Sequence, residues 1–183
     1  LPLGMSYWSV INAHQHEQEL RVLIGRRDDH PLMLVVDKAS LQVTPVLLDR
    51  WGTMEGYYWS PNHSTTIYTP GGSVFARYDI LTGVPETIFT IDPATELWQC
   101  HTSADEQTHS ATVRDRASGA VLHALVWAHG AEHRFPVAAD YDECQIDQSG
   151  EWLLIQEGNR NRVWPVRGDT PYTLEDAEGA MGH

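Results

Sequence analysis

A short turn-forming cluster returns at a nearly constant interval along this chain, and that interval constrains the fold more than any other feature. Tyr57-Tyr58-Trp59-Ser60-Pro61-Asn62-His63 is followed by Gln99-Cys100-His101-Thr102-Ser103-Ala104-Asp105-Glu106, and then by Glu143-Cys144-Gln145-Ile146-Asp147-Gln148-Ser149-Gly150. Ser60, Ser103 and Asp147 stand 43 and 44 residues apart. A fainter copy runs from Tyr7 to Gln15. Each copy passes from a strand-like segment into Ser, Asp, Asn, Pro or Gly, whose side chains or backbones favour tight turns. Such self-similarity marks a repeated supersecondary unit.

Three further strand-like segments follow each turn. The second strands are expected at Leu20–Ile24, Thr65–Thr69, Ser110–Val113 and Trp152–Ile155. The third are expected at Leu32–Val36, Val74–Ile80, Ala120–Trp127 and Arg162–Val166. The fourth are expected at Gln42–Leu48, Glu86–Ile91, His133–Val137 and Tyr172–Leu174. Val, Ile, Thr, Tyr, Phe and Trp fill these runs, and Gly, Pro, Asn and Asp punctuate them. Apolar residues alternate or form short blocks and do not recur at helical spacing. Tyr78-Asp79-Ile80-Leu81-Thr82-Gly83 is a strand running into a hairpin turn, and Val36-Asp37-Lys38-Ala39-Ser40 holds the matching place one unit earlier.

Four strands per unit of this length is the period of a propeller blade. A β-sandwich of short hairpins needs no such fixed register. The units resemble TolB-type and WD40-like β-propeller repeats, with an S-P-D-G turn between the first two strands and a D-x-x-T-G turn between the last two. Several positions depart from that pattern. Asn62 replaces the turn Asp, Ser103-Ala104-Asp105-Glu106 has no Gly, and the first unit barely carries the motif. The resemblance implies an all-β fold of four four-stranded antiparallel blades, at about 5–50, 54–93, 96–138 and 141–176, within one domain over 1–183. Propellers close rings of about 4–8 blades. The four blades are therefore expected to be part of a larger ring, or an arc that pairs in a homodimer. The chain opens on Leu1 and not on Met, as expected of a piece of a longer one.

Charge narrows the partners. The formal net charge is −13, which repels phosphate backbones and anionic lipid, so nucleic acid is not expected. No apolar run reaches the ~20 residues of a membrane span. Protein or glycan ligands remain, with one divalent cation as the candidate cofactor.

In the propeller reading, the first strand of each blade lines the channel. Its polar residues are Gln99 and His101 in one blade, and Glu143 and Gln145 in the next, preceded by Asp142. Together with His183 these form the candidate ligand site. His101, Glu143 and Gln145 are the candidate metal ligands, since imidazole with carboxylate and amide oxygens suits a divalent ion. A wet channel explains the same residues without any ligand. Cys100 and Cys144 share a register and read as small buried hydrophobes. His14 and His16 form an H-x-H pair that reads as a solvated loop, and Trp59, Trp98, Trp127, Trp152 and Trp164 read as packing between blades rather than carbohydrate stacking. No P-loop, dinucleotide Gly fingerprint, G-x-S-x-G elbow or C-x-x-C pair is present. The expected function is a non-catalytic binding scaffold recognising a protein or glycan at the funnel. The alternative is a metal-assisted carbohydrate-active enzyme. Some propeller lyases acting on acidic sugars resemble this architecture and hold a metal with His and Gln.

Overall fold

The computed structural model describes residues 8–15, 19–26, 32–47, 58–63, 66–79, 84–168 and 170–175. Sixteen strands appear among them, and every expected quartet is found. The first sheet holds β1 (Trp8–Gln15), β2 (Glu19–Arg26), β3 (Leu32–Asp37) and β4 (Val43–Leu47). The second holds β5 (Tyr58–Trp59), β6 (Thr66–Gly71), β7 (Val74–Asp79) and β8 (Val84–Thr90). The third holds β9 (Thr95–Thr102), β10 (Thr108–Asp115), β11 (Val121–Ala128) and β12 (Ala131–Phe135). The fourth holds β13 (Tyr141–Ile146), β14 (Trp152–Glu157), β15 (Arg160–Pro165) and β16 (Tyr172–Glu175). Each sheet is a meander in chain order, antiparallel throughout. Among the described residues no helix is long and apolar enough to cross a membrane.

The chain forms two compact units, Leu1–Thr90 and Ile91–His183. In the first unit, Phe75 stacks between Tyr68 and Phe89, with ring centroids 5.7 and 5.1 Å away. All three rings are buried. Such offset aromatic pairs add about 0.5–1.5 kcal/mol each beyond the area they bury.

In the second unit the core lies between the third and fourth sheets. Ala124, Val126, Ala128 and Phe135 from one meet Cys144, Ile146, Leu153, Ile155 and Val166 from the other. β14 alternates as a half-buried strand should, with Leu153 and Ile155 inward and Leu154 and Gln156 less buried. β10 differs, because Thr108 through Val113 are all buried. Its small residues let neighbours approach both faces, and its polar ones are satisfied locally. Ser110 Oγ accepts a hydrogen bond from the Ile146 amide, 3.0 Å across the sheet interface.

The recurring turns have a shared structure. Ser60, Ser103 and Asp147 each donate a backbone N–H to the carbonyl where the next strand begins, at Thr66, Thr108 and Trp152, all 2.9 Å. Their side chains then cap the loop. Ser60 Oγ accepts from the amides of Asn62 and His63. Asp147 accepts from Ser149, Glu151 and Trp152. The turns of the third and fourth sheets also touch: the Ala104 amide donates to the Gln148 carbonyl at 2.9 Å. Gly150, at φ +75°, sits against Thr108 and Ser103. Constant spacing therefore serves contact between sheets as well as hairpin closure.

The second turn motif is also built as expected at Asp37, whose Oδ1 accepts from the Ser40 amide and hydroxyl, both at 2.6 Å. The same device stands at Asp115, whose Oδ1 accepts from the Ser118 amide and hydroxyl at 2.7 Å. There it joins the second and third strands rather than the third and fourth. Residues 80–83, the tip of the Asp79 turn, lie outside the described residues.

Candidate functional site

β-Bulges decide where the candidate residues point. A bulge places two residues against one and re-aims the side chains beside it. On β9, Trp98 pairs with Thr112 and His101 with Ser110, leaving Gln99 and Cys100 opposite Ala111. Gln99 takes φ +48°, an uncommon conformation for a residue with a side chain. On β13, Tyr141 pairs with Glu157 and Glu143 with Gln156, so Asp142 is the extra residue. Without that insertion Tyr141 would share the face of Glu143 and Gln145. With it, Tyr141 turns to the core side, beside Cys144.

A hydrogen-bonded chain results. Thr112 Oγ1 donates to Gln99 Oε1 at 3.0 Å. A threonine hydroxyl carries one hydrogen, so the close Tyr141 hydroxyl donates to Thr112. Burial pushes the Tyr141 phenol well above its ordinary value, which keeps its proton in place. Gln99 is thus tied to the fourth sheet through Thr112 and Tyr141. Neither partner stood among the sequence candidates. The only trace of their role was Tyr141 directly before Asp142-Glu143.

His101 shares the face of Ser110 and is half-buried. Burial lowers its pKa, and the Glu143 carboxylate partly offsets that. The imidazole is therefore held toward its neutral form, with one nitrogen a donor and the other an acceptor. Glu143 and Gln145 lie two apart on one face of β13, and Gln145 Nε2 donates to Glu143 Oε1 at 2.9 Å. Asp142 is exposed at its bulge. Gln99, His101, Glu143 and Gln145 are thus half-buried polar residues of a strip on β9 and β13 in which His101 interacts with Glu143, whereas Gln99 is tied to Tyr141 on the other face of β13. His183 lies outside the described residues, as do His16 and the side chain of His14.

Cys100 and Cys144 are buried free thiols. Burial raises both, Cys144 to about 11 and Cys100 further. Thiols so shifted are protonated at neutral pH and poor nucleophiles. Among the described residues no three His, Cys, Asp or Glu side chains converge as a metal shell.

No protein-family model matches the sequence, and no curated protein matches it. Solved structures do match by shape. An oligogalacturonate lyase in complex with manganese aligns with a TM-score of 0.63 at 11% identity, over 85% of this chain and 48% of that one. TolB from Acinetobacter baumannii aligns with a TM-score of 0.53 at 11% identity, over 86% and 41%. A chain of the mitotic checkpoint complex aligns with a TM-score of 0.54 at 14% identity, over 87% and 51%. The chain spans about half the length of each. Identities this low speak for fold alone. The four sheets are β-propeller blades, similar to those of TolB and WD40-like proteins.

Proposed function

We propose that the chain is a non-catalytic β-propeller scaffold that recognises a protein or glycan through the polar strip on β9 and β13. One observation carries the reading: hydrogen bonds fix the donors and acceptors of the strip, Gln145 on Glu143 and Gln99 on Thr112, and the ionisable groups in and beside it supply no activated nucleophile. The thiols stay protonated, the Tyr141 phenol keeps its hydrogen, and the His101 imidazole tends to neutrality. Such a set orients a polar partner and supplies no activated nucleophile. In this reading the four sheets are consecutive blades of one domain over 1–183. Its matches are about twice as long, so companion blades or a second copy complete the ring.

A second reading, a metal-assisted carbohydrate lyase, draws on His101 beside Glu143 and Gln145 and on the likeness to a manganese-bound oligogalacturonate lyase. A neutral imidazole is what a divalent ion requires. The fit is incomplete, because no third acidic or imidazole ligand joins His101 and Glu143 among the described residues.

Metal analysis of the purified chain, repeated on His101→Ala and Gln145→Ala, separates the two readings. Stoichiometric divalent ion lost in both variants refutes the scaffold and supports the enzyme. No bound ion, with partner binding weakened by Gln99→Ala while the variant stays folded, supports the scaffold.

A further inference from the structure

The third and fourth sheets show how one blade receives the next. The Ser103 and Asp147 amides donate to the carbonyls of Thr108 and Trp152 in the same way, so Trp152 stands level with Thr108 and Leu154 with Ser110. Strand pairing then sets Val163 level with Val126. Thr108, Ser110 and Val126 occupy the side of the third sheet that meets the fourth. Thr108 lies against Gly150, Ser110 bonds the Ile146 amide, and Val126 joins the shared core. Their counterparts in the fourth sheet face the other way. Leu153 and Ile155 enter the shared core, so the alternating Trp152 and Leu154 belong to the far face. There Trp152 is 37% exposed and its ring leans on Tyr172, which is 63% exposed. No sheet follows β16 among the described residues.

The first sheet has the opposite need. Glu17-Gln18-Glu19-Leu20 matches Glu106-Gln107-Thr108-His109. That match sets Leu20 and Val22 level with Leu153 and Ile155, the residues that meet a preceding sheet. Leu20, Val22 and Ile24 pair with Val36, Leu34 and Leu32, and cross-strand partners share a face. All six are apolar by type. The face runs on to Val43, which pairs with Val36 and is 50% exposed. No sheet precedes β1 among the described residues. Stacked repeats that stand alone end in polar outer faces. These two ends carry apolar residues where a neighbouring blade would sit.

We infer that two copies of this chain close one ring, the fourth sheet of each stacking its Trp152 and Tyr172 face on the Leu20 to Val43 face of the other copy's first sheet. The junction repeats the one already made between the third and fourth sheets. Four blades from each copy give eight, within the about 4–8 that propellers hold. Structures alike in fold are about twice as long as this chain. A two-fold axis makes both junctions identical, so one pair of faces is enough to close the ring. The inference rests on the ring closure proposed above and not on what the strip binds.

The test is sedimentation velocity on the whole chain at micromolar concentration, with circular dichroism as the check on folding. The expected species is a dimer. Added salt should tighten it, because each copy carries a net charge of −13 and salt screens their repulsion. Trp152→Ala should raise the dissociation constant about tenfold or more, as loss of a buried aromatic anchor does. Tyr172→Asp and Val43→Lys, both at exposed positions of outer strands, should each weaken the dimer and leave the fold intact. Mixing those two variants leaves one junction native and sets opposite charges in the other, so the mixture should associate more tightly than either variant alone. A monomer overturns the proposal. So does a dimer that none of the three substitutions weakens, or one that mixing does not restore. A monomer that still binds its ligand through Gln99 would leave the scaffold reading standing, so the two failures are distinct.

Discussion

Replacing Gly150 by alanine separates two costs that a glycine in a turn can hide. The backbone there has φ +75°, and an added Cβ would lie 2.8 Å from Thr108 Oγ1, 3.0 Å from Thr108 Cβ and 3.3 Å from Ser103 Cβ. Gly119 has nearly the same backbone, φ +72°, and its added Cβ would meet nothing within 4 Å. The left-handed conformation costs an L-residue about 1–2 kcal/mol, partly offset by a less flexible unfolded chain. Gly119→Ala should therefore lose about 1 kcal/mol. Gly150→Ala pays the same strain plus an overlap with Thr108, which is 3% exposed and has little room to move. Overpacking of this kind costs about 1–3 kcal/mol. The two variants should differ by about 2 kcal/mol, or about 4–8 °C in melting temperature for a domain of this length. Both glycines belong to the unit Ile91–His183, so a single transition reports on both. Thermal and urea unfolding followed by circular dichroism give the comparison. Equal losses in the two variants would refute the claim that the recurring turns hold neighbouring sheets together.

Other outcomes follow from the same unit. Glu157 is 2% exposed, pairs with Arg162, and accepts from the Ala138 amide at 2.6 Å; Glu157→Ala should destabilise by about 2–3 kcal/mol in urea unfolding, because it takes the carboxylate from the partly buried Arg162 and leaves the Ala138 amide without its acceptor. Tyr141→Phe removes the hydroxyl that reaches Thr112 and should cost about 1 kcal/mol in the same assay. His101 has a folded pKa lowered by burial, so acid favours the unfolded state, which takes up the proton first; stability should fall as pH drops below about 6.5 and level off beneath the folded value. His101→Gln should flatten that part of the profile, and an unchanged slope would contradict the assignment. Cys100 and Cys144 should resist alkylation in the native protein and react quickly in urea; rapid native labelling would show that the core between the sheets opens.

Strand count, quartet order and the place of the recurring turn after each first strand could be read from the sequence, because alternation and turn chemistry are local. Ser60, Ser103 and Asp147 declare themselves by residue type and spacing, and the backbone bond each makes is the same. That Gln99, His101, Glu143 and Gln145 lie on β9 and β13 was also readable, since they sit at fixed offsets from those turns. Which way these residues point was not. The bulges at Gln99-Cys100 and at Asp142 leave no clear mark in composition, yet the second moves Tyr141 from one face of β13 to the other and so creates its contact with Thr112. The turn at Asp115 escaped notice for a related reason: its residues announce a turn, but only strand pairing says which two strands it joins. Trp152 read as packing between blades, and the structure sets its ring against Tyr172 with part of the residue open to solvent. Local backbone preference is written residue by residue, whereas the facing of a side chain depends on how two strands are registered. That register is settled only when the sheets pack.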